Sequence, residues 1–303
     1  MKIPLSTFIV LFNVFSLFFG QESPEQLVIR TKVNVVNVVC TARDNRGRYL
    51  SNLTKEQFEV FEDGVPQTIE FFYNQTKGTS QELTIVLLID TSGSVKDKLE
   101  FEKMAASGFL RSTLDKGKDM AAIVQFDSEI NLAQDFTYDL DKLENAIHTL
   151  RSGGGTKLYD AIWLAVEDLL EEEVGRKILV ILSDGADTQS SVSAEKAIRS
   201  AQKSDVVIYG IGVKSNRFDA NFRELKTFSV STGGAFFNSK ASLDRLRESF
   251  RRINQEIKHQ YILSYTSTNL KEDEIFRKIR VKVKLSGLKI IHRKGYYASI
   301  KSY

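Results

Sequence analysis

Asp90-Thr91-Ser92-Gly93-Ser94 sets three oxygen-bearing side chains two residues apart. In a loop leaving a strand, that spacing can turn Asp90, Ser92 and Ser94 toward one point. The ends of parallel strands are where open α/β sheets bind ligands. Two further loops offer groups of the same kind. Gly153-Gly154-Gly155-Thr156 brings a hydroxyl behind three glycines that permit an irregular backbone. Ser183-Asp184-Gly185 brings a carboxylate directly after the apolar run KILVIL. The donors are two carboxylates and three hydroxyls. Hard oxygen donors suit Mg²⁺, with Mn²⁺ or Ca²⁺ as alternatives, and disfavour zinc. Two carboxylates just balance a divalent ion. If they act through water, the ion keeps positive character at an open position, and a carboxylate from outside can complete its shell. That is a chemistry of recognition, without turnover.

The elements that must position these loops follow from the pattern of apolar residues. Residues 83–89 (LTIVLLI) and 178–182 are nearly continuous apolar runs, as in strands buried on both faces of a parallel sheet. Further strands are expected at 120–126, 206–213 and 235–238, with a short edge strand at 130–136. Helical spacing covers 96–113, 140–150, 158–170, 194–203, 218–230 and 243–257. In the first of these, Phe101, Met104, Ala105 and Phe109 are expected on one face. Strand, helix, strand, helix in alternation predicts an open, doubly wound, mostly parallel sheet with helices on both faces. The flanks have a different texture. Residues 27–42, 58–61 and 67–73 read as strands around an Asp63-Gly64 turn, and from Gln260 onward the chain is strand-like again. The simplest packing joins both flanks in one β-domain, with the α/β domain inserted between them. The expected division is 1–20 as a signal peptide, 24–77 and 259–303 as the two parts of the β-domain, and 81–258 as the α/β domain.

D-T-S-G-S, a downstream G-G-T before a helix, and S-D-G after a strand together resemble a von Willebrand factor type A domain. The resemblance runs from about Leu83 to Lys258 and implies a Rossmann-like fold carrying a metal-ion-dependent adhesion site. It implies that Ser92 and Ser94 bind the metal directly, and that Thr156 does so directly or through water. Asp90 and Asp184 would act mainly through water or from behind the ligands. Asp-x-Ser-x-Ser alone is a weak signal; five positions in order at strand ends make a specific one. The flanks VFEDGVPQTIEFF and FRKIRVKVK…GLKIIHRKGYYA are similar to exported bacterial proteins of the same type. The implied role is an adhesion or scaffolding module that binds an acidic residue of a protein ligand.

The remaining features bound that role. The chain has 303 residues, 42% hydrophobic and 27% charged, with a net charge of +3, so overall charge makes no case for a nucleic-acid partner. A single cysteine, Cys40, excludes an internal disulfide framework and reads as a buried apolar residue. Met1-Lys2 followed by the uncharged apolar run 3–19 reads as a secretory signal, hence a periplasmic, cell-surface or secreted protein. An uncleaved signal anchor attached to a membrane is the other reading. Oligomeric state is open. Gly210-Ile211-Gly212 lacks the third glycine of a dinucleotide fingerprint and reads as a strand-end turn. Alternating Lys and Arg over 279–285 read as the solvated face of a strand; a polyanion- or membrane-binding face is the sharper alternative. Trp163 reads as core. Asn52 and Asn74 match glycan acceptors, which matter only in a eukaryote. Two rival functions stand beside recognition: a metal-dependent hydrolase of phosphate esters, which lacks an evident His, Cys or Lys base, and a structural domain with an unused site.

Overall fold

The computed structural model describes residues 35–76, 81–214, 222–240, 242–271 and 273–298. The expected signal segment lies outside them.

Four strands come first: β1 (Val35–Asp44), β2 (Phe58–Glu62), β3 (Val65–Gln67) and β4 (Phe71–Asn74). The stretch expected as one strand over 67–73 is thus two. Asp63 and Gly64 turn the chain between β2 and β3 with φ of 47° and 88°, the left-handed conformation that Asp and Gly tolerate. The α/β part follows: β5 (Leu83–Asp90), α1 (Leu99–Thr113), β6 (Met120–Phe126), β7 (Ile130–Thr137), α2 (Leu140–Thr149), α3 (Leu158–Leu164), β8 (Arg176–Ser183), α4 (Ala194–Lys203), β9 (Val207–Lys214), α5 (Arg223–Thr232), β10 (Phe236–Lys240) and α6 (Leu243–Lys258). Helix α3 continues as π-helix through Ala165–Leu170. Residues 218–221, expected to open α5, lie outside the described residues. The chain ends in β11 (Gln260–Thr266), β12 (Phe276–Val283), β13 (Leu288–His292) and β14 (Gly295–Tyr297).

The central sheet has the order β10-β9-β8-β5-β6-β7. All pairs are parallel except β6 with β7, which is antiparallel and forms the edge. All eight residues of β5 are buried, because helices cover both faces. Leu87, Ile89, Phe109, Leu110, Ile147, Phe250 and Ile253 share one core. Val86, Leu88, Leu158, Ile162, Leu179, Ile181 and Phe228 share the other. After β6 and β7 the chain crosses to the far side of β5 to form β8. The crevice at the carboxyl ends of β5 and β8 is therefore the topological switch point, where such sheets bind ligands.

Helix α1 corrects one expectation. Phe101 and Met104 are 40% and 42% exposed, whereas Leu99, Ala106, Phe109 and Leu110 are buried together with Glu102. The inward stripe starts at Leu99, and two residues further on a helix points to the opposite side. The charged residue at 102 hid that stripe in the sequence.

The two antiparallel sheets, β13-β1-β11-β4 and β14-β12-β2-β3, each mix early and late strands. They enclose a third core that includes Val38, Cys40, Phe58, Val60, Tyr261, Leu263, Ile279 and Val281. Cys40 is buried there, and burial pushes its thiol up. Along β12, Ile279 and Val281 face the core while Arg280 and Lys282 are exposed, the alternation of a sheet with one wet face. Gly210 and Gly212 lie inside β9 as packing residues. An added Cβ would come within 2.8 Å of the Leu225 side chain at 210 and within 2.7 Å of the Phe222 ring at 212. Trp163 packs against the second core, with the Lys196 ammonium 4.3 Å from its ring centroid. Asn74 is buried, and its amide donates to the Ser51 carbonyl at 2.8 Å, which removes it as a glycan acceptor.

Candidate metal centre

Asp90 is the last residue of β5 and is wholly buried. Its carboxylate accepts the Ser92 N–H at 2.9 Å and the Ser183 hydroxyl at 2.6 Å. The first bond curls the chain sharply after the strand, and a single 3₁₀ turn, Gly93–Val95, follows. The curl brings the Ser92 and Ser94 hydroxyls to 3.0 Å of each other. Ser94 Oγ then donates to Asp184 Oδ2 at 2.6 Å. Asp184 is placed by the turn after β8, where Gly185 has a φ of 84° and its N–H donates to Ser183 Oγ at 3.0 Å. Ser183 thus ties β8 to Asp90. The sequence reading cited Ser183 as part of its motif without giving it this role.

The glycine loop is stitched to the same place by its backbone. Gly153 N–H donates to Thr91 O at 2.7 Å, and Gly93 N–H to Gly154 O at 3.1 Å. Gly154 has a φ of 68°, and an added Cβ would stand 2.3 Å from Ser128 Oγ, so the chain passes closer there than a side chain allows. Thr156 is 3% exposed. Its N–H donates to Thr188 Oγ1 at 3.0 Å, and its carbonyl accepts the N–H groups of Thr188 and Gln189 at 2.9 and 3.1 Å. Among the described residues no hydrogen bond joins its hydroxyl to the other four side chains. The structure therefore links Asp90, Ser92, Ser94 and Asp184 in one hydrogen-bonded chain and sets Thr156 in the adjoining loop.

The electrostatics of this chain are unbalanced. Burial raises the Asp90 carboxyl to about 6, the charge of Asp184 adds to the rise, and the bonds from Ser183 and Ser92 only partly offset it. Glu102, fully buried on α1, is pushed up to about 8 by burial and then by the charges of Asp90 and Asp184, with Lys98 opposing. Burial is the larger cause of both shifts, and the repulsion among Asp90, Asp184 and Glu102 adds to it. A divalent cation would offset that repulsion and suits the hard-oxygen donors beside it. Among the described residues no group of three or more His, Cys, Asp or Glu is arranged as a metal cluster; the donors here are largely hydroxyls. Sequence reasoning missed Glu102. The available signal was its place on the stripe that starts at Leu99.

Residues 84–252 match the von Willebrand factor type A domain. An uncharacterised protein of Borreliella burgdorferi is 24% identical over 228 residues, covering 66% of this chain and 61% of that protein. Integrin alpha-M of Mus musculus is 28% identical over 167 residues, 51% of this chain and 14% of the integrin. The chain thus spans less than two thirds of the length of these relatives. Among solved structures, a von Willebrand factor type A protein from Catenulispora acidiphila matches 89% of this chain and 74% of its own, at TM-score 0.50 and 13% identity. Proximal thread matrix protein 1 of the mussel byssus, solved with its MIDAS motif occupied by zinc, matches 61% of this chain and 47% of its own, at TM-score 0.50 and 19% identity. These two likenesses concern the fold. With the family match covering more than half of its length and the sheet order and crevice in place, the chain belongs to the von Willebrand factor type A domain family.

Proposed function

We propose that this chain is an exported protein-binding module that grips an acidic residue of a protein ligand through a divalent cation. Ser92, Ser94, Thr156, Asp90 and Asp184 would hold the ion, with Mg²⁺ as the physiological metal and Mn²⁺ or Ca²⁺ as substitutes. One observation carries the reading: the hydrogen-bonded chain Ser92–Ser94–Asp184 beside a buried Asp90 raised to about 6. When bound, the cation supplies a Lewis-acidic position open to a carboxylate oxygen. The protein's part is placement. Ser183 and the Ser92 N–H hold Asp90 rigid, the glycine loop clamps the serine loop, and Ser94 stands exposed at the rim.

The wider role rests on the family and its relatives. Type A domains serve as protein-interaction modules, and the relative integrin alpha-M supports a protein ligand. Export rests on the apolar run at 3–19. Among the described residues no helix is long and apolar enough to cross a membrane. The two antiparallel sheets, whose strands fall within the expected segments 24–77 and 259–303, would present the 81–258 domain to its ligand.

Calorimetric titration with Mg²⁺, Mn²⁺, Ca²⁺ and Zn²⁺ tests the site. The wild type should bind one equivalent of Mg²⁺ or Mn²⁺, and Ser92→Ala and Asp184→Ala should lose it while keeping the far-ultraviolet circular dichroism of the wild type. A wild-type protein that takes up none of the four ions would end this reading.

A further inference from the structure

Glu102 is a buried acid that the fold does not provide for. It has no solvent exposure, and among the described residues neither carboxylate oxygen has a hydrogen-bond partner. Two other buried acids show the usual provision. Glu62 accepts the hydroxyls of Tyr265 and Ser267 at 2.8 and 2.7 Å. Asp160 accepts the N–H groups of Ser191 and Val192 at 2.9 and 2.7 Å. Leaving a buried acceptor without a donor is costly, and the usual explanation of such a group is an enclosed water or ion. Packing alone would favour an apolar residue at 102, since the stripe around it is Leu99, Ala105, Ala106 and Phe109.

Its surroundings point to the metal centre. Asp90 and Asp184 both act on the Glu102 carboxyl through their charges. One turn earlier, at the N-terminal cap of α1, the buried Lys98 donates to the carbonyl of Val213 at 2.9 Å. Val213 is in β9, next to β8, whose following loop carries Asp184. Glu102 follows one turn on, its N–H donating to the Lys98 carbonyl at 3.1 Å, so α1 enters the fold beside the strands that carry the centre.

We propose that Glu102 is a positioning residue of this centre, accepting a hydrogen bond from a water enclosed between it and the cation's carboxylate ligands. The inference rests on the cation-binding reading above. Enclosed waters need two to four polar partners, and among the described residues both Glu102 oxygens are left to accept one. Partners of this kind orient the groups that touch a metal, and their removal typically weakens metal affinity 10- to 100-fold.

The test is titration of the full chain with Mn²⁺ and Mg²⁺ for wild type, Glu102→Gln, Glu102→Leu and Asp184→Ala. Metal-free melting midpoints and the water-proton relaxation caused by bound Mn²⁺ are measured alongside. We expect both Glu102 variants to bind Mn²⁺ about tenfold more weakly, with an altered relaxation signal and a metal-free midpoint no lower than wild type. Asp184→Ala should show no binding. Should Glu102→Leu fail to fold, Glu102→Gln, which keeps the shape of the side chain, carries the comparison. Wild-type affinity in the folded Glu102 variants, with binding lost in Asp184→Ala, would overturn the inference and leave the cation reading standing. A wild type that binds neither ion would overturn both.

Discussion

Asp90 and Glu102 give the metal-free molecule a pH signature. Their carboxyls stand at about 6 and about 8 in the fold, against ordinary values of 3.8 and 4.5. A folded pKa above the unfolded one means that the native state holds its proton more tightly. Stability from these groups is therefore greatest below about pH 4 and declines as pH rises, through about 6 for Asp90 and about 8 for Glu102. Two outcomes follow. The fall in melting midpoint between pH 5.5 and pH 8, measured in chelator, should be smaller in Glu102→Gln than in wild type. Saturating Mg²⁺ should raise the wild-type midpoint most at the upper end of that range, because the ion supplies the missing counter-charge. An equal pH dependence in the two proteins would contradict the burial that sets the Glu102 shift.

Strand ends and glycines do at the level of elements what hydroxyls do at the level of residues. Strands β5 and β8 run parallel and in register from Leu83↔Arg176 to Ile89↔Leu182, so Asp90 and Ser183 emerge side by side. The glycine loop completes the floor through Gly153 and Gly154. Gly154→Ala adds a Cβ where Ser128 already stands and forces a left-handed backbone on a residue that avoids it. Destabilisation of about 1–3 kcal/mol is expected, visible as a lower denaturant midpoint, together with weaker Mn²⁺ binding, because the serine loop loses its clamp. Weaker binding without a lower midpoint would show that the loop is adaptable there.

At the level of the molecule, each antiparallel sheet is closed by strands from both ends of the described chain. Helix α6 passes into β11 with only His259 between them. That junction is pinned from several directions. Arg176 of β8 donates to the Ile257 carbonyl at 2.6 Å and to the Gln260 side chain. Gln260 donates to the Tyr209 hydroxyl at 3.0 Å. Arg43 of β1 pairs with Glu256, which is 1% exposed. Removing the cation of such a pair leaves a buried charge alone, so Arg43→Ala should cost about 3 kcal/mol in a denaturant titration. The α/β sheet and the antiparallel sheets should also unfold together. Fluorescence of Trp163, the single tryptophan, and far-ultraviolet circular dichroism should give one midpoint; separated midpoints would mean that the junction does not couple them.

Some of this was legible in the residues alone. LTIVLLI, broken only by Thr84, and the 178–182 run read as strands buried on both faces, because they are short and almost nothing polar interrupts them. The Asp-Thr-Ser-Gly-Ser spacing and the Ser-Asp-Gly turn located four side chains that the fold joins by hydrogen bonds. Alternation over 279–285 gave β12 a wet face and a dry one as far as Val283, while Leu285 lies beyond the strand and is exposed. These features are local, set by periodicity of two residues or by a turn. What crosses the chain was decided by packing. The inward face of α1 depends on which side meets the sheet, and a charged residue on that side disguised it. The bond from Ser183 to Asp90 exists only because two strands 93 positions apart lie in register. Burial of Glu102, and with it the raised proton affinity, comes from enclosure by neighbours distant in sequence. Spacing along a chain carries no information about solvent, and the charge balance of this centre is governed by how much water the fold excludes.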